Sequence, residues 1–390
     1  MNTTMEIIIE FDDDSFKATA IITVDTSIKE KYFSFILNND LCIEEITCNG
    51  ELFDYEISET IHPQFRPLSK RIVINSEKII EIITVKYSGT VEYSQEKRSC
   101  WHNIITKDVK SLSMYSVWYP QETSIEINHD KAIIIDGSKY FLVKGVFYAK
   151  RNVWEYGDNG YDPFNIMAYR KEALKTISNE YMNIYFIDDS ITEYAEKSVS
   201  IYYDVIEFYN GNLFNKKDIS VLDIACASPA ITTGGGYRRK DFMWCTVLGN
   251  NDEEIAWLNA HETAHIWCCG ANSGSWEDWL NETTAEWASL LFALNKNDTA
   301  LFDFILNPKL EKYASLPPIK TPDGSRPDGV HDKGTVMFYD MYKLFGVGAV
   351  RKVVRLFTNL KDKTTNSLMQ ALCDDSENDI ASFICNGLLK

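Results

Sequence analysis

Between His261 and Trp287 the chain reads HETAHIWCCGANSGSWEDWLNETTAEW. His261 and His265 are four residues apart, with Glu262 beside the first. On a helix the two imidazoles project from one face, one turn apart, which is the geometry for two nitrogens on a single Zn2+. Glu262 lies near that face but is not aligned to bind with both histidines, so it is free to reach a water on the metal. Catalytic zinc takes three protein ligands and keeps one position open. Glu282 follows His265 after sixteen intervening residues, room for the loop CCGANSGSW and a returning helix, and is read as the third ligand. Glu286, one turn on, is placed to accept from the outer ring nitrogen of a ligand histidine. Cys268 and Cys269 are competing ligands. They fall where the first helix is ending, and a closed Cys/His site would leave Glu262 without a task. The expectation is one Zn2+ per chain on His261, His265 and Glu282.

These groups need elements to hold them. NDEEIAWLNAHETAHIWC reads as one helix, with Asn251 as its cap and Asp252, Glu253 and Glu254 at the positive end of its dipole. Upstream, MNIYFID (182–188), ISVLDIA (219–225) and FMWCTVLG (242–249) read as strands, and SITEYAEKSVSIYYDVIEFYN has helical spacing. Helical patterns then dominate to the last residue, so a small mixed sheet precedes a mostly helical lobe, an α+β arrangement. The first 150 residues differ. MEIIIEF, KATAIITVD, YFSFILNN, LCIEEITC, RIVIN and EIITVKYSGTVEY are short β-branched and aromatic runs, which predicts an antiparallel β-sandwich-like domain. The division is expected between residues 1–178 and 179–390.

A chain of 390 residues is too long for one ordinary core. Its net charge of −18 argues against nucleic acid or an anionic membrane as partner, since both call for a basic surface. No apolar run is long enough to span a bilayer, and MNTTMEIIIEFDDDSF lacks the basic and apolar regions of a signal peptide. Nine scattered cysteines fit reduced thiols better than a disulfide framework, and with them a cytoplasmic location. Nothing in the sequence sets the oligomeric state.

HETAHIWCCG…WEDWLNETTAEW resembles the H-E-x-x-H-x-W-F-G…W-L-N-E segment of gluzincin zinc metallopeptidases, specifically the alanyl-aminopeptidase type. FILNNDLCIEEITCNGELFDYEI and VWYPQE resemble pieces of that family's N-terminal β-domain. VHDKGTVMFYDMYKLFGVGAVRKVV resembles its V-Y-E-K-G-A helix, and TNSLMQALCDDSENDIASFICNGLL the closing helices of its thermolysin-like domain. The resemblance implies a two-domain chain: an N-terminal β-sandwich or saddle, then an α+β thermolysin-like catalytic domain. It implies a short form, without the C-terminal helical domain common in the family. It also implies hydrolysis of peptides with Glu262 as the base.

Three departures bear on that implication. The spacer to Glu282 is shorter than the family's usual one, although WLNE is intact. His331, in VHDKG, stands where the family has its catalytic tyrosine, and an imidazole N–H is able to donate to an oxyanion. The family's G-A-M-E-N motif, whose glutamate holds the substrate's free amine, is replaced by TTGGGYRRKDF (232–242). Gly235 and Gly236 still let a backbone approach closely, and an exposed strand edge still pairs with an extended peptide. Where a carboxylate is expected stand Tyr237, Arg238, Arg239 and Lys240. The altered tyrosine and amine anchor motivate a rival reading, a zinc-bearing peptide-binding protein with little or no turnover. The intact Glu262 argues against it, since a pure binder needs no base.

Overall fold

The computed structural model describes residues 3–61, 67–91, 103–157, 164–227, 236–239, 242–246 and 251–390. In the N-terminal half, β-branched and aromatic residues at alternate positions build sheets with one face inward. Met5, Ile7 and Ile9 of strand Thr4–Phe11 are buried, as are Phe16, Ala18, Ala20 and Ile22 of strand Phe16–Thr23. These two pair antiparallel at the centre of an eight-stranded sheet. Ile82–Gly89 and Cys42–Cys48 extend it on one side, Asn128–Ile134 and Val153–Tyr156 on the other. A three-stranded sheet (Tyr32–Asn38, Ser69–Asn75, Glu56–Ile61) and a four-stranded one (Tyr140–Leu142, Ile166–Arg170, Val109–Leu112, Ile104–Ile105) share its apolar core. One pairing departs from the antiparallel expectation: Thr4–Phe11 runs parallel to Asn128–Ile134. More than a hundred residues separate them, so no hairpin turn dictates their direction.

The second half is built on a five-stranded sheet in the order Lys175–Ser178, Met182–Phe186, Leu222–Ala227, Phe242–Thr246, Gly236–Arg239. Its three central strands are parallel, and both edge strands are antiparallel to their neighbours. Parallel neighbours require a crossover, and α1 (Thr192–Phe208) makes the one between Met182–Phe186 and Leu222–Ala227. The expected division after residue 178 falls inside this sheet, since Lys175–Ser178 pairs with Met182–Phe186. Strand Ile166–Arg170 lies against the sheet. The Tyr169 hydroxyl donates to the carbonyls of Tyr185 (2.9 Å) and Cys226 (3.2 Å), seating the β-rich half on the helical one. Eight cysteines among the described residues are free thiols. No helix among them is long and apolar enough to cross a membrane.

Six further helices follow: α2 (Asp252–Ala264), α3 (Trp279–Lys296), α4 (Thr299–Lys312), α5 (Val330–Asn359, broken at Gly346, which takes φ 80°, ψ 173°), α6 (Thr365–Asp374) and α7 (Asn378–Leu388). The first was expected to reach Cys268 but stops at Ala264. Amide groups of Ile266, Trp267 and Cys268 turn back onto its last carbonyls, and Gly270 takes a left-handed φ of 99°. His265 is the C-cap residue, still right-handed at φ −63°, ψ −9°, so its ring stays on the His261 face. Helix α3 is the centre of the lobe: every residue from Trp279 to Ala293 except Glu282 is buried.

Helices α3 and α5 meet at Gly334, where a Cβ would lie 1.8 Å from Thr283 Oγ1. Only glycine allows that approach, and it sets His331 on α5 opposite Glu282 and Glu286 on α3. Gly334→Ala is expected to destabilise the chain by about 1–3 kcal/mol through overpacking. Gly348, exposed in the first turn after the break of α5 at Gly346, has nothing within 4 Å of its added Cβ, so Gly348→Ala is expected to leave stability within about 0.5 kcal/mol of the wild type. Urea unfolding of the two variants compares them directly, and equal midpoints would refute the close-packing account.

Candidate metal centre

Helix α2 carries the two histidines. The Asn251 side chain caps it by accepting the Glu254 N–H at 2.9 Å, with three carboxylates in the first turn. One face then presents His261, which is buried, and half-buried His265, their Nε2 atoms 3.2 Å apart. The returning helix α3 is held in register by Asn281. Its amide bonds Ala271 N–H and C=O, both at 3.0 Å, and Asp278 Oδ1 at 2.9 Å. The loop between the motif's halves is thus tied down one residue before Glu282. Glu282 Oε2 lies 3.4 Å from His261 Nε2 and 3.8 Å from His265 Nε2.

The outer ring nitrogens face acceptors. His265 Nδ1 is 3.0 Å from the Cys268 carbonyl oxygen, which fixes its proton there and leaves a lone pair on Nε2. His261 Nδ1 is 2.7 Å from Glu286 Oε2. Glu286 has no exposed surface, and its carboxylate also meets Lys309 Nζ at 2.7 Å and accepts the Trp257 indole N–H at 3.1 and 3.2 Å. Burial opposes the charge on this carboxyl, but His331, Lys309 and His261 hold it well below the usual range. Burial opposes the Glu282 charge too, and His261, His265 and His331 likewise keep it ionised. Burial also works against a charged His261 ring, yet Glu282, Glu286 and Glu262 override it and push its pKa up to about 10. Two facing Nε2 atoms and a carboxylate oxygen thus demand a positive charge between them, a proton on His261 or a metal ion.

A metal ion fits that demand. Two ligands on a tetrahedral Zn2+ stand roughly 3.3–3.6 Å apart, and the three donor separations here run from 3.2 to 3.8 Å. The N, N, O donor set is one that zinc accepts; of the two ring nitrogens turned away from it, His265 Nδ1 is hydrogen-bonded to the Cys268 carbonyl, whereas His261 Nδ1 stands at ion-pair distance from Glu286 without hydrogen-bond alignment. His331 joins the cluster from the first turn of α5. It offers a ligand atom within 4.8 Å of those of His261 and Glu282. Its Nε2 is 3.9 Å from Glu282 Oε2 and 3.4 Å from Glu286 Oε2, and its Nδ1 is 3.5 Å from Asp332 Oδ1. Burial disfavours the Asp332 charge, but His331, Lys309 and Lys312 outweigh it and hold the carboxyl below its usual range. Glu262 is half-buried beside His261, and among the described residues its carboxylate has no hydrogen bond or ion pair.

Backbone places Gly236, Tyr237, Arg238 and Arg239 on the edge strand paired with Phe242–Thr246, but their side chains lie outside what is described. Gly235 and Lys240 lie outside the described residues altogether. Sequence reasoning missed Lys309, Trp257, Asp332 and the Cys268 carbonyl. One signal was available for Lys309: the buried positions of α4 are Leu301, Ile305, Leu306 and Lys309, a lysine on an apolar helical face.

The architecture, a β-rich part followed by a helical region, is the one seen in M1 zinc metallopeptidases and LTA4 hydrolase. Yeast LTA4 hydrolase in complex with bestatin is similar over 100% of this chain and 68% of its own, with 13% identity and a TM-score of 0.65. An M1 zinc metallopeptidase from Deinococcus radiodurans matches over 100% of this chain and 93% of its own, at 10% identity and TM-score 0.61. Legionella pneumophila aminopeptidase A in complex with aspartic acid matches over 98% and 48%, at 12% identity and TM-score 0.66. No family model and no curated protein matches the sequence.

The donor geometry predicts about one tightly held Zn2+ per chain in protein purified without added metal. Elemental analysis measures it. His265→Ala and Glu282→Ala are expected to lose the metal, whereas Cys268→Ser and Cys269→Ser keep it. Loss in the serine variants instead would replace this ligand set with a cysteine-containing one.

Proposed function

We propose that the chain is a gluzincin-type zinc metallopeptidase of the M1 kind, with an N-terminal saddle domain followed by a thermolysin-like catalytic domain whose sheet begins with Lys175–Ser178. The observation that carries this is the convergence of His261 Nε2, His265 Nε2 and Glu282 Oε2 beside a carboxylate, Glu262, that has no partner of its own among the described residues. Support for a peptide substrate comes from a Deinococcus radiodurans M1 zinc metallopeptidase mutant of the same fold, solved with a Tyr-Ser-Ala substrate bound. The free cysteines among the described residues and the net charge of −18 favour a cytoplasmic enzyme with no nucleic-acid partner.

Zn2+ bound by His261, His265 and Glu282 would supply a Lewis acid and a water whose pKa is lowered to about 7. Glu262 takes a proton from the attacking water and hands it to the leaving amine. His331 donates from Nε2 to the developing oxyanion. The edge strand Gly236–Arg239 aligns the peptide by backbone pairing. Glu286 and the Cys268 carbonyl keep both ligand rings oriented. One observation favours the weaker alternative, a peptide-binding protein with slow turnover: His331 Nε2 already sits 3.4 Å from Glu286.

Two variants separate these readings kinetically. Glu262→Gln keeps its shape and its zinc but loses the proton acceptor, and hydrolysis of a broad peptide library is expected to fall at least ~10²-fold. His331→Ala is expected to lower kcat by roughly 10²-fold with KM nearly unchanged, because its bond strengthens only in the transition state. A wild-type chain that binds zinc but cleaves nothing in the library would establish the binding protein.

Specificity follows from the strand that replaces the amine anchor. An aminopeptidase site needs a carboxylate for the substrate ammonium, and Arg238 and Arg239 bring the opposite sign. Free-amine aminoacyl reporters are expected to be poor substrates, and N-acetylated peptides better ones. Comparing kcat/KM for one peptide with a free and an acetylated N-terminus checks this, and a strong preference for the free amine would mean that an acidic residue elsewhere is the anchor.

A further inference from the structure

Lys309 has no place in the zinc-and-base scheme, yet it is nearly sealed from solvent, 7% exposed. Its stem comes from the last turn of α4, and its ammonium rests 5.5 Å from the centre of the Trp257 ring. The Nζ atom stands 2.7 Å from Glu286 Oε1. The other oxygen, Oε2, is the one 2.7 Å from His261 Nδ1. A buried carboxylate has two equivalent oxygens, and rotation about its terminal bond exchanges them. Trp257 does not break that equivalence, because its N–H is shared at 3.1 and 3.2 Å. The ammonium does break it. A charge-assisted bond to Oε1, from a lysine whose ammonium also sits over an indole, leaves Oε2 facing the ligand histidine.

We propose that Lys309 is a positioning residue of the metal centre, acting through Glu286 to fix the ring of His261 and so the direction of its Nε2. The proposal rests on the metal-site reading above. It differs from a plain α3–α4 ion pair in a measurable way. A structural pair contributes to folding alone, whereas an orienting pair also sets metal affinity and the symmetry of the ligand field. Removing the outer partner of a ligand histidine weakens metal binding by about 10–100-fold.

The test uses the full chain loaded with zinc, and with Co2+ for its visible spectrum. Zinc affinity is measured by chelator competition for the wild type, Lys309→Met, Lys309→Arg, Glu286→Gln and the double variant Glu286→Gln/Lys309→Met. Lys309→Met is expected to bind zinc about 10–100-fold more weakly and to shift the cobalt bands, with Lys309→Arg recovering most of the affinity. In the Glu286→Gln background the methionine is expected to change neither reading further. Lys309→Met leaves a buried carboxylate without its cation and is at risk of not folding. In that event the double variant, a neutral pair, is compared with Glu286→Gln alone, where equal affinity supports the proposal and a further loss overturns it. A Lys309→Met chain that melts earlier but keeps wild-type zinc affinity and cobalt spectrum overturns it as well. A wild-type chain that binds no zinc overturns the metal-site reading and this proposal with it.

Discussion

A carboxylate without any exposed surface is the constraint on which the rest of the site depends. Glu286 lies on the helix at the centre of the lobe, where an unpaired charge would cost several kcal/mol. Four polar groups on three other helices gather round it: Trp257 and His261 on α2, Lys309 on α4 and His331 on α5. Each helix that packs on α3 to bury apolar surface must therefore also arrive with a polar atom in place. Misplacing any one of them is penalised by the buried charge, so the hub selects one arrangement of the helices over others of similar apolar burial.

The close crossing of α3 and α5 at Gly334 and Thr283 works toward the same end from the apolar side. It brings α5 near enough for His331 to reach across, while Asn281 ties the loop that precedes Glu282. Packing and polar demand thus meet within two turns of α3, at Asn281, Glu282, Thr283 and Glu286. Glu282 is the one residue in the stretch Trp279–Ala293 that is not buried, and it is the one that faces His261 and His265.

How much of this was legible in the sequence depends on the range of the cause. The strand alternation of Met5, Ile7 and Ile9 and the cap at Asn251 are local, and the chain folds them as its pattern indicates. The β-rich half and the helical half could be read from those periods. The two histidines on one face needed only the helical repeat. Long-range causes were not legible. The parallel pairing of Thr4–Phe11 with Asn128–Ile134 depends on the path of all the chain between them. The end of α2 at Ala264 depends on a loop closed by Asn281, thirteen positions on from Cys268. Lys309 left a trace, a cation in an apolar register, but its partner lies on another helix and no local pattern names it.

His331 shows how the hub is compatible with the proposed chemistry. A phenol in its place would present one polar atom, whereas an imidazole presents two, and the second must also be accommodated. Asp332, the next residue, faces Nδ1 at 3.5 Å, which leaves Nε2 on the side of Glu282 and Glu286. To serve an oxyanion, Nε2 has to leave Glu286 Oε2. Elsewhere, breaking a contact to a buried carboxylate would be prohibitive. Here the carboxylate keeps Lys309, Trp257 and His261 when His331 turns away, and the ring exchanges one anionic acceptor for another. The surplus of donors on Glu286 is what makes its longest contact, at 3.4 Å, the one free to move.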